Sequence, residues 1–135
     1  MEGWATLNEQ INPKTVHKPL GMYSHTIKVP ANAEWLAIAG QVGKNAKGDI
    51  ASGVRRQTEQ ALRNVQACLR ANKMTKDHLV RLTIYLTDAR HVEDMRAARS
   101  KVFGDAVQPA STLVIVDGLA APEFLVEVEA WAAKA

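Results

Sequence analysis

Hydrophobic and polar positions along this chain change period several times, and each change marks an element. Over residues 79–87 (LVRLTIYLT) they alternate strictly, with Val80, Leu82, Ile84 and Leu86 on one side and Arg81, Thr83, Tyr85 and Thr87 on the other. That is the period of a strand with one buried face. Residues 125–131 (LVEVEAW) repeat it, setting Val126, Val128 and Ala130 against Leu125, Glu127, Glu129 and Trp131. Over residues 53–73 the spacing opens to steps of three and four, and Val54, Thr58, Ala61, Leu62, Val65, Cys68 and Leu69 form one stripe. This predicts an amphipathic helix with Ser52 as N-cap and Asn72 near its stop. Arg56, Gln60, Arg63 and Arg70 make its solvated face. Residues 91–103 predict a second helix that packs through Val92, Met95, Val102 and Phe103 and stops at Gly104. Residues 23–29, 34–40 and 112–116 read as further strands, and residues 1–20 as an irregular arm with room for one short strand.

The order strand, strand, helix, strand, helix, strand, strand predicts an α+β domain: one sheet with both helices on one face. The helices cover only that face. The other mixes Tyr85, Trp131 and Leu125 with Arg81, Thr83, Glu127 and Glu129. It is too apolar to stand in water and too charged to be a private core. Such a surface meets another subunit, so the expectation is a homo-oligomer whose sheets face one another. Its glutamates then pair with cations such as Arg81 or border a cleft, because an unpaired buried carboxylate is costly.

Composition narrows the class. The 135 residues fit one domain (1–135), and a 47% hydrophobic share supplies a core. The net charge of +3 is spread without runs of one sign. Cys68 is the only cysteine, which excludes an internal disulfide and reads as a small core residue. No stretch approaches the ~20 apolar residues of a membrane span and the N-terminus has no leader pattern, so the expected location is cytoplasmic. His17, His78 and His91 share no metal-ligand spacing. There is no glycine-rich phosphate loop, and no aromatic platform with a basic rim for nucleic acid.

Five segments in register carry a resemblance: GMYSH (21–25), AGQVG (39–43), QTEQALRNVQACL (57–69), PAST (109–112) and VEVEAWA (126–132). They are similar to the motifs G-P-Y-S-Q, S-G-Q, Q-T-x-Q-x-L-x-N, P-A-R-S and i-E-i-E-a-i-A of the Rid/YjgF family, the reactive intermediate deaminases also labelled L-PSP endoribonuclease. The similarity runs over about residues 15–133, with one insertion after Val116. It implies a chorismate-mutase-like fold and a homotrimer with a central barrel and a small-molecule cleft at each subunit interface. It also implies hydrolysis of reactive enamines and imines to ketoacid and ammonia, with no metal and no bound cofactor.

Deaminating a small imino acid needs a group that grips the carboxylate, a group that directs water, and donors where charge develops. By the resemblance, Tyr23 is the family's tyrosine, Glu127 its first glutamate and water-director, and Leu113 carries the main chain beyond its arginine. Ser111 stands where that arginine would be, and a serine offers no charged fork. Three readings follow. Ser111 and Thr112 bind a neutral or hydroxylated ligand; or Arg96 or Arg99 of the second helix enters the cleft; or the trimer binds without chemistry. A solvated helix face is the plain alternative for both arginines, and a structural role the plain alternative for His25. RNA binding or cleavage is a further, less favoured expectation.

Overall fold

The structure is a computed structural model that describes residues 8–135; the first seven residues of the irregular arm lie outside the described residues. Its elements are β1 (Glu9–Ile11), β2 (Thr26–Lys28), β3 (Glu34–Val42), α1 (Val54–Ala71), β4 (Leu79–Leu86), α2 (Val92–Phe103), β5 (Ala110–Ile115) and β6 (Val126–Lys134). Strands β3, β6, β4 and β5 form a mixed sheet in that order. β6 lies antiparallel to both its neighbours, while β4 and β5 run parallel, joined through α2. Both helices pack on one another, and α1 packs on β3 and β6.

The first predicted strand is corrected. Only Thr26–Lys28 is extended, and it pairs with β1 rather than joining the main sheet. The half before it is drawn away by Ser24, whose N–H donates to the Pro109 carbonyl and whose hydroxyl donates to the Gln108 carbonyl at 2.6 Å. Residues 21–25 therefore become a loop docked at the entrance of β5.

The core is the expected one. Leu62, Val65 and Leu69 from α1 meet Phe103 from α2, Leu82, Ile84 and Leu86 from β4, and Val126 and Val128 from β6, all fully buried. Burying side chains of this size stabilises by roughly 1.5–3 kcal/mol each. Three details depart from simple periodicity. The β4–β6 register slips between Leu79 and Arg81, so a bulge puts Leu79 in the core and leaves Val80 only partly covered. Leu125 packs against the core instead of joining the open face. Gly53, not Ser52, is the N-cap of α1, and no side chain caps it.

Two groups outside the stripe fix the start of α1. Gln57 is buried; its amide donates to the carbonyls of Ala51 and Glu123, and its oxygen accepts from the Leu125 N–H. One side chain thus ties the β3–α1 loop to the entry of β6. Opposite it, a Cβ on Gly43 would come within 2.5 Å of the Gln57 Cα. Gly43→Ala is expected to cost about 3 kcal/mol, since backbone must move. Thermal unfolding should register a loss of roughly 10 °C; an unchanged melting temperature would show that the contact is soft.

Candidate functional site

β5 is an edge strand, and its pleat sorts its side chains between the two faces of the sheet. Ser111 and Leu113 lie beside Leu82 and Ile84, which face the helices; Thr112 and Val114 lie beside Thr83 and Tyr85, which face the open side. On the helix side, a cavity of ≈ 90 Å³ opens between β5, α2 and the 21–25 loop. Tyr23, Arg96, Arg99, Ser111 and Leu113 line it, with Gly21, Met22, Ile84 and Met95 completing its wall. Five of the residues singled out from the sequence therefore meet in one hollow.

Arg99 dominates it. Only 5% of the residue is exposed, so it does not belong to a solvated helix face. One terminal nitrogen donates to the Met22 carbonyl and the other to the Ser111 hydroxyl at 3.4 Å. Its Nε–H is buried without a hydrogen-bond partner among the described residues. Burial pushes the guanidinium down to about 10, which leaves it cationic at neutral pH. A buried cation with a spare donor is a receiver for an anion. Arg96, one turn earlier, stands half-exposed and pairs with Glu93 at 3.1 Å. Tyr23 is fixed by its hydroxyl, which accepts from the Leu20 N–H at 3.0 Å. His25 does not line the cavity: its Nε2 lies 2.6 Å from the His17 carbonyl, a tie to the arm.

Thr112 and Glu127 lie elsewhere. Thr112 accepts from Arg81 at 2.6 Å on the open face, so Arg81 pairs with a hydroxyl rather than with the expected glutamates. Glu127 borders a second, more open hollow of ≈ 270 Å³ with Gly40, Tyr85, Val116 and Glu129. A Cβ on Gly40 would lie 1.9 Å from the Glu127 carboxylate, so any side chain there displaces the carboxylate from this position. Beside it the Tyr85 hydroxyl donates to Glu129, and that bond, with burial second, holds the phenol above its ordinary range. The alternation of β4 placed Tyr85 on this face, but only the fold brings its hydroxyl diagonally onto Glu129. Among the described residues no group of three or more His, Cys, Asp or Glu could hold a metal, and no helix is long and apolar enough to cross a membrane.

The profile of the family described as Endoribonuclease L-PSP matches residues 14–134. A RutC family protein of Pyrococcus horikoshii is 34% identical over 130 residues, covering 95% of this chain and 99% of that protein. The crystal structure of a conserved Rid family protein of unknown function from Yersinia pestis superimposes with a TM-score of 0.82 at 32% identity, covering 93% of this chain and 97% of that one. A Mycobacterium tuberculosis member of the YjgF/YER057c/UK114 family gives a TM-score of 0.65 at 26% identity, covering 93% and 98%.

Binding of a small carboxylate such as butyrate, followed by calorimetry, is expected to weaken about 30-fold in Arg99→Gln, the worth of a charge-assisted hydrogen bond. Affinity should stay flat through neutral pH and fall as pH rises through about 10, where the guanidinium loses its proton. The shift is downward, so the unliganded fold gains stability from this group over the same range, and lost binding does not report its unfolding. Unchanged affinity in the variant would remove Arg99 from the site.

Proposed function

The chain belongs to the Rid/YjgF, or L-PSP endoribonuclease, family, and from that premise we propose that it hydrolyses a small enamine or imine acid, releasing ammonia in the clefts of a homotrimer. One observation carries this reading: Arg99, nearly buried and with a spare donor, shares a cavity with Tyr23 and Ser111. By the resemblance Ser111 occupies the family arginine's position. Here the guanidinium comes from α2 instead and donates to that serine. The substitution thus alters how the acid is gripped, and with it which acid is selected.

In this reading the substrate carboxylate lies on Arg99, with the Tyr23 and Ser111 hydroxyls and the Leu113 main chain setting its orientation. Water adds to the C=N carbon, losing a proton to Glu127. That proton passes to nitrogen to give the carbinolamine; the carbinolamine hydroxyl then gives up a second proton, which also reaches nitrogen as the C–N bond breaks, so C=NH and H₂O become C=O and NH₃. Glu127 stands on the open side of the sheet, away from the cavity of its own chain. In this reading it acts on the cavity of a neighbouring copy, which its carboxylate meets at the free edge of that copy's β5 where the open faces of the assembly pack together. Those faces carry the apolar surface for such a meeting. Trp35 and Trp131, 55% and 45% exposed, touch edge to face at 6.2 Å between ring centres.

Ammonia release from an enamine acid generated in situ tests the proposal. Glu127→Ala should lower kcat by roughly 10²–10³ with KM little changed, while Arg99→Gln should act mainly on KM. Each variant alone is expected to be poor, and co-assembled mixtures of the two should regain activity in the clefts that join one intact half from each. Absence of rescue would contradict action across the interface. Ligand-raised melting temperatures without turnover of any substrate would make the protein a binding trimer instead.

A further inference from the structure

The cavity holds two guanidinium groups and, among the described residues, no acidic side chain lines it. Arg99 is at its floor, buried and held by Met22 and Ser111. Arg96 is at its mouth, one helical turn away on the same face of α2. A Cβ on Gly21 would meet a terminal nitrogen of Arg96 at 3.9 Å, so this group lies along the loop that forms the rim. Its ion pair with Glu93 is an exposed contact three residues back, of the kind worth little and readily exchanged for a better partner.

A single carboxylate satisfies one of these groups. The Arg99 guanidinium, whose terminal nitrogens each keep an N–H beyond the bonds to Met22 and Ser111, takes it. Arg96 then remains, held by its exposed pair with Glu93, beside a hollow whose other walls are Met22, Ile84, Met95 and Leu113. The cavity is small, ≈ 90 Å³, which is set against a long ligand. A ligand with one charged end at the floor and the other at the mouth must be short.

We infer that the site selects a short acid carrying two anionic groups, a dicarboxylate of about four carbons, with one carboxylate on Arg99 and the second on Arg96. This rests on the reading of the cavity as the substrate site, and it names the class of enamine or imine acid that the site prefers. Arg96 is then a specificity-determining residue, engaging the end of the substrate remote from the reacting carbon, and its effect falls on discrimination between acids.

Butyrate and succinate form a matched pair, equal in chain length and differing by the second carboxylate. Calorimetric titration of the assembled wild-type protein at pH 7.5 is expected to show succinate binding about tenfold or more tightly than butyrate, the scale of one partly shielded charge pair. Arg96→Gln should weaken succinate about tenfold, far more than it weakens butyrate, so that the two acids bind nearly alike. Arg70→Gln, which removes an exposed charge on the other helix, should alter neither ratio. Equal affinities of the wild type for both acids, with both weakened in Arg99→Gln, would overturn the inference and leave the Arg99 site standing. Failure of both acids to bind the wild type would overturn both.

Discussion

A guanidinium cannot be taken out of water without oxygen atoms arranged to receive it, and the cost of an incomplete set is several kcal/mol. Arg99 meets that constraint by drawing three parts of the fold to one point. Helix α2 carries it, the 21–25 loop supplies a carbonyl, and the edge strand β5 supplies the Ser111 hydroxyl. The loop in turn is held by Ser24 on the lead-in to β5. The cavity exists because these parts converge on the cation without filling its whole donor set. The same group that organises the walls is the one left with a donor to offer.

The pleat of β5 and β6 divides labour across the sheet. Successive residues of β5 serve opposite surfaces, Ser111 the cavity and Thr112 the open face. On β6 the odd-numbered residues Glu127 and Glu129 stand on the open face, while their even-numbered neighbours fill the core. The Arg99 cavity and the Glu127 carboxylate are thus built on opposite sides of one sheet. The bare glycine at position 40 keeps room for the Glu127 carboxylate on the open face.

Much of this was legible in the sequence, and the losses have identifiable physical causes. The alternation of β4 and β6 and the stripe of α1 gave the sheet, its covered face and nearly all of the core, because burial on one face imposes those periods. Periodicity is blind to a bulge, so it missed the inversion of Leu79 and Val80. It is equally blind to a loop bound by side chains, so residues 23–25 read as strand until Ser24 was seen to hold them elsewhere. Motif spacing collected Tyr23, Arg96, Arg99, Ser111 and Leu113, which share one hollow. It grouped Thr112 with its neighbour Ser111, although adjacent strand residues face apart. Arg99 could not be told from Arg96 by sequence; only packing buries one and leaves the other at the rim. Gln57 sits within a recognised motif, yet its role in stapling the entry to β6 depends on contacts nearly seventy residues away.

The account stands on the Arg99 guanidinium, with its Nε–H as the reporter, as the group that receives a carboxylate. Its ¹H–¹⁵N resonance can be followed directly while a small acid is titrated into the isotope-labelled protein. A saturable downfield shift of the Arg99 Nε–H signal, with the exposed arginines of α1 unmoved, is the predicted result. An acid that binds while this resonance stays fixed would contradict the account at its centre.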